Sequence, residues 1–264
     1  MMDRLVVGTK ELLTTSKIYG APAYMVVPFV VLVVVYVVLV VRFLEHMRGL
    51  NVSFTGKKRK MALLLGPRHA GKTRFFHLVR DGEHVETVSS MKEQTGRFIV
   101  HGKYNPDKFD AELTVVDFPG HERLRSRMAD FYPVAGCIAF FVDASDVPSF
   151  RQAAEFLYDV FANKKVNDLT PPIMVVCNKS DMREAVSPQV VRDALEKELT
   201  QLKKTRSSLE TEGDEEDQDL SQVPVGRDGE SFQFDVDAPC EISFVKCSVK
   251  DAEIHDVVRF IQQH

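Results

Sequence analysis

Hydrophobic positions follow two regimes along the chain. From Ala21 to Val41 no residue is charged, and Met25 to Val41 is an almost unbroken, valine-rich apolar run. About 20 such residues cross a bilayer as a helix. A lone segment in lipid must satisfy its own backbone, which outweighs the weak helix preference of valine. The run therefore predicts one transmembrane helix over 22–41, with Pro22 and Pro28 near its start, where proline disturbs a helix least. Beyond residue 60, short apolar runs alternate with stretches of helical period. Strands are expected at Leu63–Leu65, Arg97–His101, Glu112–Val116, Cys137–Val142, Ile173–Cys177 and Ile242–Lys246. Helices are expected near Glu122–Phe131, Ser149–Phe161, Pro188–Thr205 and Ala252–Gln263. Such alternation implies an α/β domain with a mostly parallel six-stranded sheet and helices on both faces. The run Glu210-Thr211-Glu212-Gly213-Asp214-Glu215-Glu216-Asp217 is acidic and poor in apolar residues. It predicts a disordered insertion over about 209–228.

Charge orients the span. Arg42, Arg48, Lys57, Lys58, Arg59 and Lys60 follow it against the single acid Glu45, whereas Arg4, Lys10 and Lys17 before it are offset by Asp3 and Glu11. The positive-inside bias puts the C-terminal side in the cytosol. The expected organisation is a short lumenal N-terminus (1–21), the transmembrane helix (22–41), a basic linker (42–60) and a cytosolic domain (61–264). The sequons at Asn51 and Asn178 then go unused. A net charge of −4 over 264 residues gives no sign of direct nucleic-acid binding. Cys137, Cys177, Cys240 and Cys247 form no C-x-x-C pair and read as reduced thiols of a cytosolic domain.

Gly66-Pro67-Arg68-His69-Ala70-Gly71-Lys72-Thr73 fits G-x-x-x-x-G-K-[ST] between an apolar strand and a helix. Backbone N–H groups of such a loop and the following helix N-terminus wrap a phosphate chain. Lys72 would reach the outer phosphates and the Thr73 hydroxyl would bind Mg²⁺. Asp117-Phe118-Pro119-Gly120 follows the third strand directly. Strand C-terminal ends gather at one edge of a parallel sheet, so Asp117 would face Thr73 and hold Mg²⁺ through a water, and the Gly120 N–H would sense the terminal phosphate. Asn178-Lys179-Ser180-Asp181 follows another strand. The Asp181 carboxylate offers two acceptors to guanine N1–H and N2–H₂, a donor pair that adenine lacks. Lys179 would lie along the base and Asn178 would brace the loops. In Cys247-Ser248-Val249-Lys250, after the last strand, the Val249 N–H would point to guanine O6 with Ser248 beside it. The implied ligands are GTP and Mg²⁺. A hydroxyl between the first helix and second strand should complete the metal site, with Thr87, Ser89, Ser90 and Thr95 as candidates.

These four elements in order identify the domain as a small P-loop GTPase. Further stretches narrow the resemblance. Asp117-Phe118-Pro119-Gly120-His121-Glu122-Arg123-Leu124-Arg125 looks like D-x-P-G-H-x-x-L-R, and Leu195-Glu196-Lys197-Glu198-Leu199 with Leu202 and Thr205-Arg206-Ser207 looks like L-E-K-E-L-x-x-L-x-x-T-R-S. Glu155-Phe156-Leu157-Tyr158 and Phe232-Gln233-Phe234 also match. The chain thereby resembles the Arf-related family of signal recognition particle receptor beta subunits. The resemblance implies residence in the endoplasmic reticulum membrane. It also implies a tight, GTP-dependent hold on the receptor's alpha subunit through both switch regions, in the service of cotranslational targeting. Ribosome or translocon contacts stay open. Arf-like spacing from Lys72 favours Ser90 among the candidate hydroxyls. His121, where many small GTPases carry glutamine, is the candidate for orienting a hydrolytic water; the alternative is a partner contact. Arg68 stands where rapid GTPases often carry glycine and is expected to slow turnover. Two competing readings are an Arf-like trafficking GTPase and an anchor that keeps GTP as a fixed ligand.

Overall fold

A computed structural model of the chain describes residues 61–87, 90–105, 107–108, 110, 112–210 and 222–264, together with 17–18, 21–22 and 32. The chain divides into two units, Met1–Gly56 and Lys57–His264. In the first, Lys17–Ile18 pairs antiparallel with Ala21–Pro22, so Pro22, the expected first residue of the span, lies in that pair. The rest of the expected span and the basic linker fall outside the described residues, Leu32 excepted. Among the described residues no helix is long and apolar enough to cross a membrane.

The second unit carries β1 (Met61–Leu65), α1 (Lys72–Asp81), β2 (Gln94–Phe98), β3 (Leu113–Asp117), β4 (Ala135–Asp143), α2 (Phe150–Ala162), α3 (Lys164–Leu169), β5 (Ile173–Asn178), α4 (Pro188–Glu210), α5 (Phe234–Asp237), β6 (Ile242–Lys246) and α6 (His255–Gln263). The strands form one sheet in the order β2-β3-β1-β4-β5-β6. All neighbours run parallel except the edge pair β2 and β3. The central strands are apolar on both faces because both faces are covered. Residues of α2 and α4 pack on one face around Phe140, Phe156 and Leu195. Those of α1 and α6 pack on the other around Leu64, Phe76 and Val258. Five strands therefore end at one edge and carry the phosphate loop, Asp117, Asp143, Asn178 and Cys247 there.

Two expected boundaries need correction. The edge strand is Gln94–Phe98, three residues before the expected Arg97–His101. Its register with β3 runs from Gln94↔Asp117 to Phe98↔Leu113. The alternation of Ile99, Val100 and His101 instead comes from the chain crossing the end of α1, where the His101 N–H donates to Val79 O at 2.9 Å and Val100 is buried. Of the expected insertion over 209–228, residues 209–210 belong to α4, 211–221 lie outside the described residues, and 222–228 form a strap. Val223 N–H donates to Ala162 O at 2.7 Å and Val225 is buried. Apolar residues within a polar segment gave this strap something to bury.

The strap gives a physical role to the L-E-K-E-L stretch. Leu195 and Leu199 enter the core. On the next face of α4, Glu196 Oε1 accepts the Phe234 N–H at 2.9 Å and Thr200 Oγ1 accepts the Phe232 N–H at 3.0 Å. Lys203 Nζ donates to the carbonyls of Arg227 and Glu230 at 2.5 and 3.1 Å. Phe232 stacks on Phe161 with ring centres 5.9 Å apart, and Phe234 meets Phe232 and Phe244 edge-on at 5.3 and 5.1 Å. Offset and edge-on ring pairs of this kind add roughly 0.5–1.5 kcal/mol each beyond area burial.

Candidate functional site

The phosphate loop leaves β1 at Gly66, whose φ of 129° only glycine adopts freely and where a Cβ would lie 2.2 Å from Phe141 O. It closes at Gly71, φ 98°, where a Cβ would lie 2.2 Å from Asn178 Nδ2. Asn178 uses that nitrogen to donate to Ala70 O at 2.8 Å, while its Oδ1 accepts the Val249 N–H at 3.1 Å. The expected brace is thus present. It engages the Val249 N–H as well, so that donor would have to be shared or released to read a base.

Lys72, 6% exposed, donates to Gly66 O and Pro67 O at 2.8 and 2.7 Å. Burial brings its pKa down to about 8, against the opposing pull of Asp117. The ammonium is held inside the loop by the carbonyls it spans, in a place where a phosphate oxygen would be a stronger partner. His69, at φ 60°, and Arg68 are exposed at the tip, and Pro67 and Ala70 are buried.

The three candidate metal ligands converge. The Thr73 hydroxyl donates to Asp117 Oδ2 at 2.6 Å and lies 3.2 Å from Ser90 Oγ. Of the candidate hydroxyls, Ser90 lies beside Thr73, Thr87 and Thr95 are exposed, and Ser89 falls outside the described residues. Asp117 is wholly buried, and its Oδ1 has no hydrogen-bond partner among the described residues. Burial raises its pKa, more than the Thr73 hydroxyl and the Lys72 charge lower it. A fully buried carboxylate with one idle oxygen, beside two hydroxyls, is an all-oxygen set that fits Mg²⁺. Gly120 packs directly on the phosphate loop, where a Cβ would lie 2.6 Å from Arg68 N and from Pro67 C.

At the far end of the edge, Asp181 Oδ1 accepts from Ser248 Oγ at 2.9 Å and Oδ2 faces Lys250 Nζ at 3.3 Å. Desolvation pushes this carboxyl upward, but the Ser248 and Lys250 donors outweigh it, so its pKa lies below the ordinary value. Lys179, at φ 64°, extends to Asp143 Oδ2 at 2.5 Å. Asp143 was not anticipated. It also accepts the Ser145 N–H and hydroxyl at 3.0 and 2.6 Å. The signal was available: Phe140-Phe141-Val142-Asp143 places an acid after an apolar strand as Val115-Val116-Asp117 does.

The switch II stretch, Phe118 to Arg127, leads into a 3₁₀ segment over Glu122–Asp130 where the sequence predicts a regular helix. His121 caps it, its Nδ1 accepting the Arg123 N–H at 3.2 Å. In a neutral ring this leaves the proton on Nε2. The segment is tied to α2 and α3 by Gln152 donating to Glu122 at 3.2 Å, Arg125 to Asp159 at 3.2 Å, and Lys165 to Ala129 O at 2.9 Å.

The family profile described as Signal recognition particle receptor beta subunit matches residues 57–238. The chain belongs to the signal recognition particle receptor beta subunit family. The Homo sapiens signal recognition particle receptor subunit beta is 30% identical over 241 residues, covering 88% of this chain and 84% of that protein. The structure of the mammalian SRP receptor matches with a TM-score of 0.62 at 27% identity, over 77% of this chain and 98% of that one. The Chaetomium thermophilum SRb-GTP/SRX complex shares the fold, with a TM-score of 0.55 at 20% identity, over 77% and 97% of the two chains. Membership places the motifs above in a small-GTPase-like fold.

Proposed function

We propose that this chain is the GTP-binding beta subunit of a signal recognition particle receptor. Residues 22–41 anchor it in the endoplasmic reticulum membrane, 1–21 are lumenal, and 61–264 are cytosolic. It holds the alpha subunit in its GTP form for cotranslational targeting. The observation that carries this reading is the meeting of Thr73, Ser90 and Asp117 beside Lys72, with hydroxyl–carboxylate and hydroxyl–hydroxyl distances of 2.6 and 3.2 Å. A GTPase switch senses nucleotide by ordering such a segment, and the nearness of the Ser90 and Thr73 hydroxyls supports that reading. Gly66 to Thr73 wrap the phosphates, Asp181 with Ser248 selects guanine, and Asp143 sets the Lys179 side chain. Bound Mg²⁺ would be held by Thr73, Ser90 and Asp117, and it neutralises phosphate charge.

Hydrolysis is slow on this reading. With Nδ1 engaged by the Arg123 N–H, neutral His121 offers a donor and no free acceptor to a water. Its main work is to cap the switch. The alpha-subunit role draws on the Chaetomium complex, in which SRb-GTP is joined to SRX. The test is capture of alpha subunit by the full chain loaded with GTP, GDP or no nucleotide, beside Lys72→Ala and Thr73→Asn. Capture by the GTP form alone, lost in both variants, supports the switch. Equal capture in every state would make the chain a constitutive anchor. Alkaline extraction of membranes tests the span: a chain lacking 22–41 should be released.

A further inference from the structure

The T-R-S arginine of α4 and the arginine that ends D-x-P-G-H-x-x-L-R meet on one carboxylate. Asp159, on α2, receives Arg206 Nη2 on Oδ1 at 2.9 Å and Arg125 Nη1 on Oδ2 at 3.2 Å. Each guanidinium also lies over an aromatic ring of α2, Arg206 over Tyr158 at 4.3 Å and Arg125 over Phe156 at 4.6 Å. The Arg125 side chain is 11% exposed, and its Nε and Nη2 have no hydrogen-bond partner among the described residues. A nearly buried guanidinium resting on one ion pair and one ring depends heavily on that pair. Arg206 in turn fixes the Asp159 carboxylate from the other side.

Two residues beyond Arg125, the chain reaches back to the segment near Ser90, the switch I region of the GTPase reading. Arg127 Nη2 pairs with Glu93 Oε1 at 2.9 Å. Glu93 lies three residues after Ser90, whose hydroxyl is 3.2 Å from Thr73 Oγ1. In this arrangement Ser90 sits against Thr73 and Gly120 packs on the phosphate loop, which we take as the closed form of both switches. The contacts Arg206–Asp159–Arg125 and Arg127–Glu93 therefore support the closed form of both switches.

We propose that Asp159 and Arg206 are positioning residues that bias the protein toward GTP over GDP by latching switch II in its closed form. The proposal rests on the guanine-nucleotide reading above. A ligand shifts a two-state element only by its differential affinity, and on the guanine-nucleotide reading the γ-phosphate would supply that difference. Removing the latch should therefore weaken triphosphate binding and leave diphosphate binding nearly unchanged. Neither residue is among those expected to touch nucleotide, so a direct contact would not explain such a result.

The test uses the full chain in detergent, with fluorescent GDP and a fluorescent non-hydrolysable GTP analogue as probes, and thermal melting as a fold control. Arg206→Ala and Asp159→Asn should each lower affinity for the GTP analogue about threefold to tenfold, a coupling of the size reported along such networks, with GDP affinity changed less than about twofold. Arg206→Lys should restore most of the preference, and the double variant should lose no more than the single ones. Should Arg206→Ala fold poorly, Glu93→Gln breaks the switch I end and should shift the ratio in the same direction by a smaller amount, because that pair is more exposed. Equal losses for both nucleotides, or an unchanged ratio in well-folded variants, would overturn the proposal. Failure of the unaltered chain to bind either nucleotide would instead remove the guanine reading on which it stands.

Discussion

Asp181→Asn tests base recognition with little risk to the fold. The carboxylate is held by Ser248 Oγ on one oxygen and faces Lys250 Nζ at 3.3 Å on the other. Asparagine keeps a carbonyl for Ser248 and puts an NH₂ where Oδ2 stood. The Lys250 side chain is 62% exposed and can return to water, so the stability cost should be no more than about 1 kcal/mol. The cost to guanine is larger, because N1–H and N2–H₂ lose an ionised acceptor pair and one of them meets a donor. Hydrogen bonds to charged groups contribute about 1.5–3 kcal/mol each, so two amount to roughly 3–6 kcal/mol, or about two to four orders of magnitude in affinity. Xanthine carries a carbonyl at C2 and suits the new NH₂. Competition of unlabelled GTP and XTP against a fluorescent nucleotide reads both effects. GTP affinity within about threefold of the unaltered chain, or no gain for XTP, would show that Asp181 does not read the base edge.

Other expectations follow from the same geometry. The pKa of Asp181 is lower folded than unfolded, so its stabilisation is complete above the ordinary carboxylate value, near pH 4, and is lost as pH falls below it through the lowered folded value. Melting temperatures measured across the acid limb should fall less steeply in Asp181→Asn than in the unaltered chain. Gly120→Ala would place a methyl 2.6 Å from loop backbone atoms. Titration should show affinity for a GTP analogue reduced about tenfold or more, given overpacking costs of roughly 1–3 kcal/mol, with GDP less affected because switch II need not close on it. Phe234→Ala removes a buried ring packed against Phe161, Phe232 and Phe244. Urea unfolding should report a loss of about 3–5 kcal/mol. Asp143→Ala frees Lys179 from its 2.5 Å partner, and stopped-flow release of fluorescent GDP should speed up several-fold if that lysine lies on the base.

What could be read from the sequence was local. A phosphate loop needs eight contiguous residues between a strand and a helix, and a buried strand announces itself by an apolar run, so the sheet and Lys72, Thr73, Asp117, Asn178 and Asp181 were legible one segment at a time. Parallel strands end at one edge, so even the gathering of those residues followed from chain order. Resemblance singled out L-E-K-E-L and T-R-S without saying what they do.

Their purpose lies in contacts that no spacing reveals. That Ser90 lies 3.2 Å from the Thr73 hydroxyl, while Thr95 sits exposed on β2, follows only from the packed chain. The boundary of β2 required its register with β3, since Ile99 and Val100 continue the same alternation in sequence. Arg125, Asp159 and Arg206 are 34 and 47 residues apart in their pairings, and Glu196 meets Phe234 38 residues on. Side-chain periodicity carries information only about an element's own faces. Which polar group on one element meets which on another depends on how the helices are rotated and how far the strap reaches, and the packed tertiary structure alone decides that.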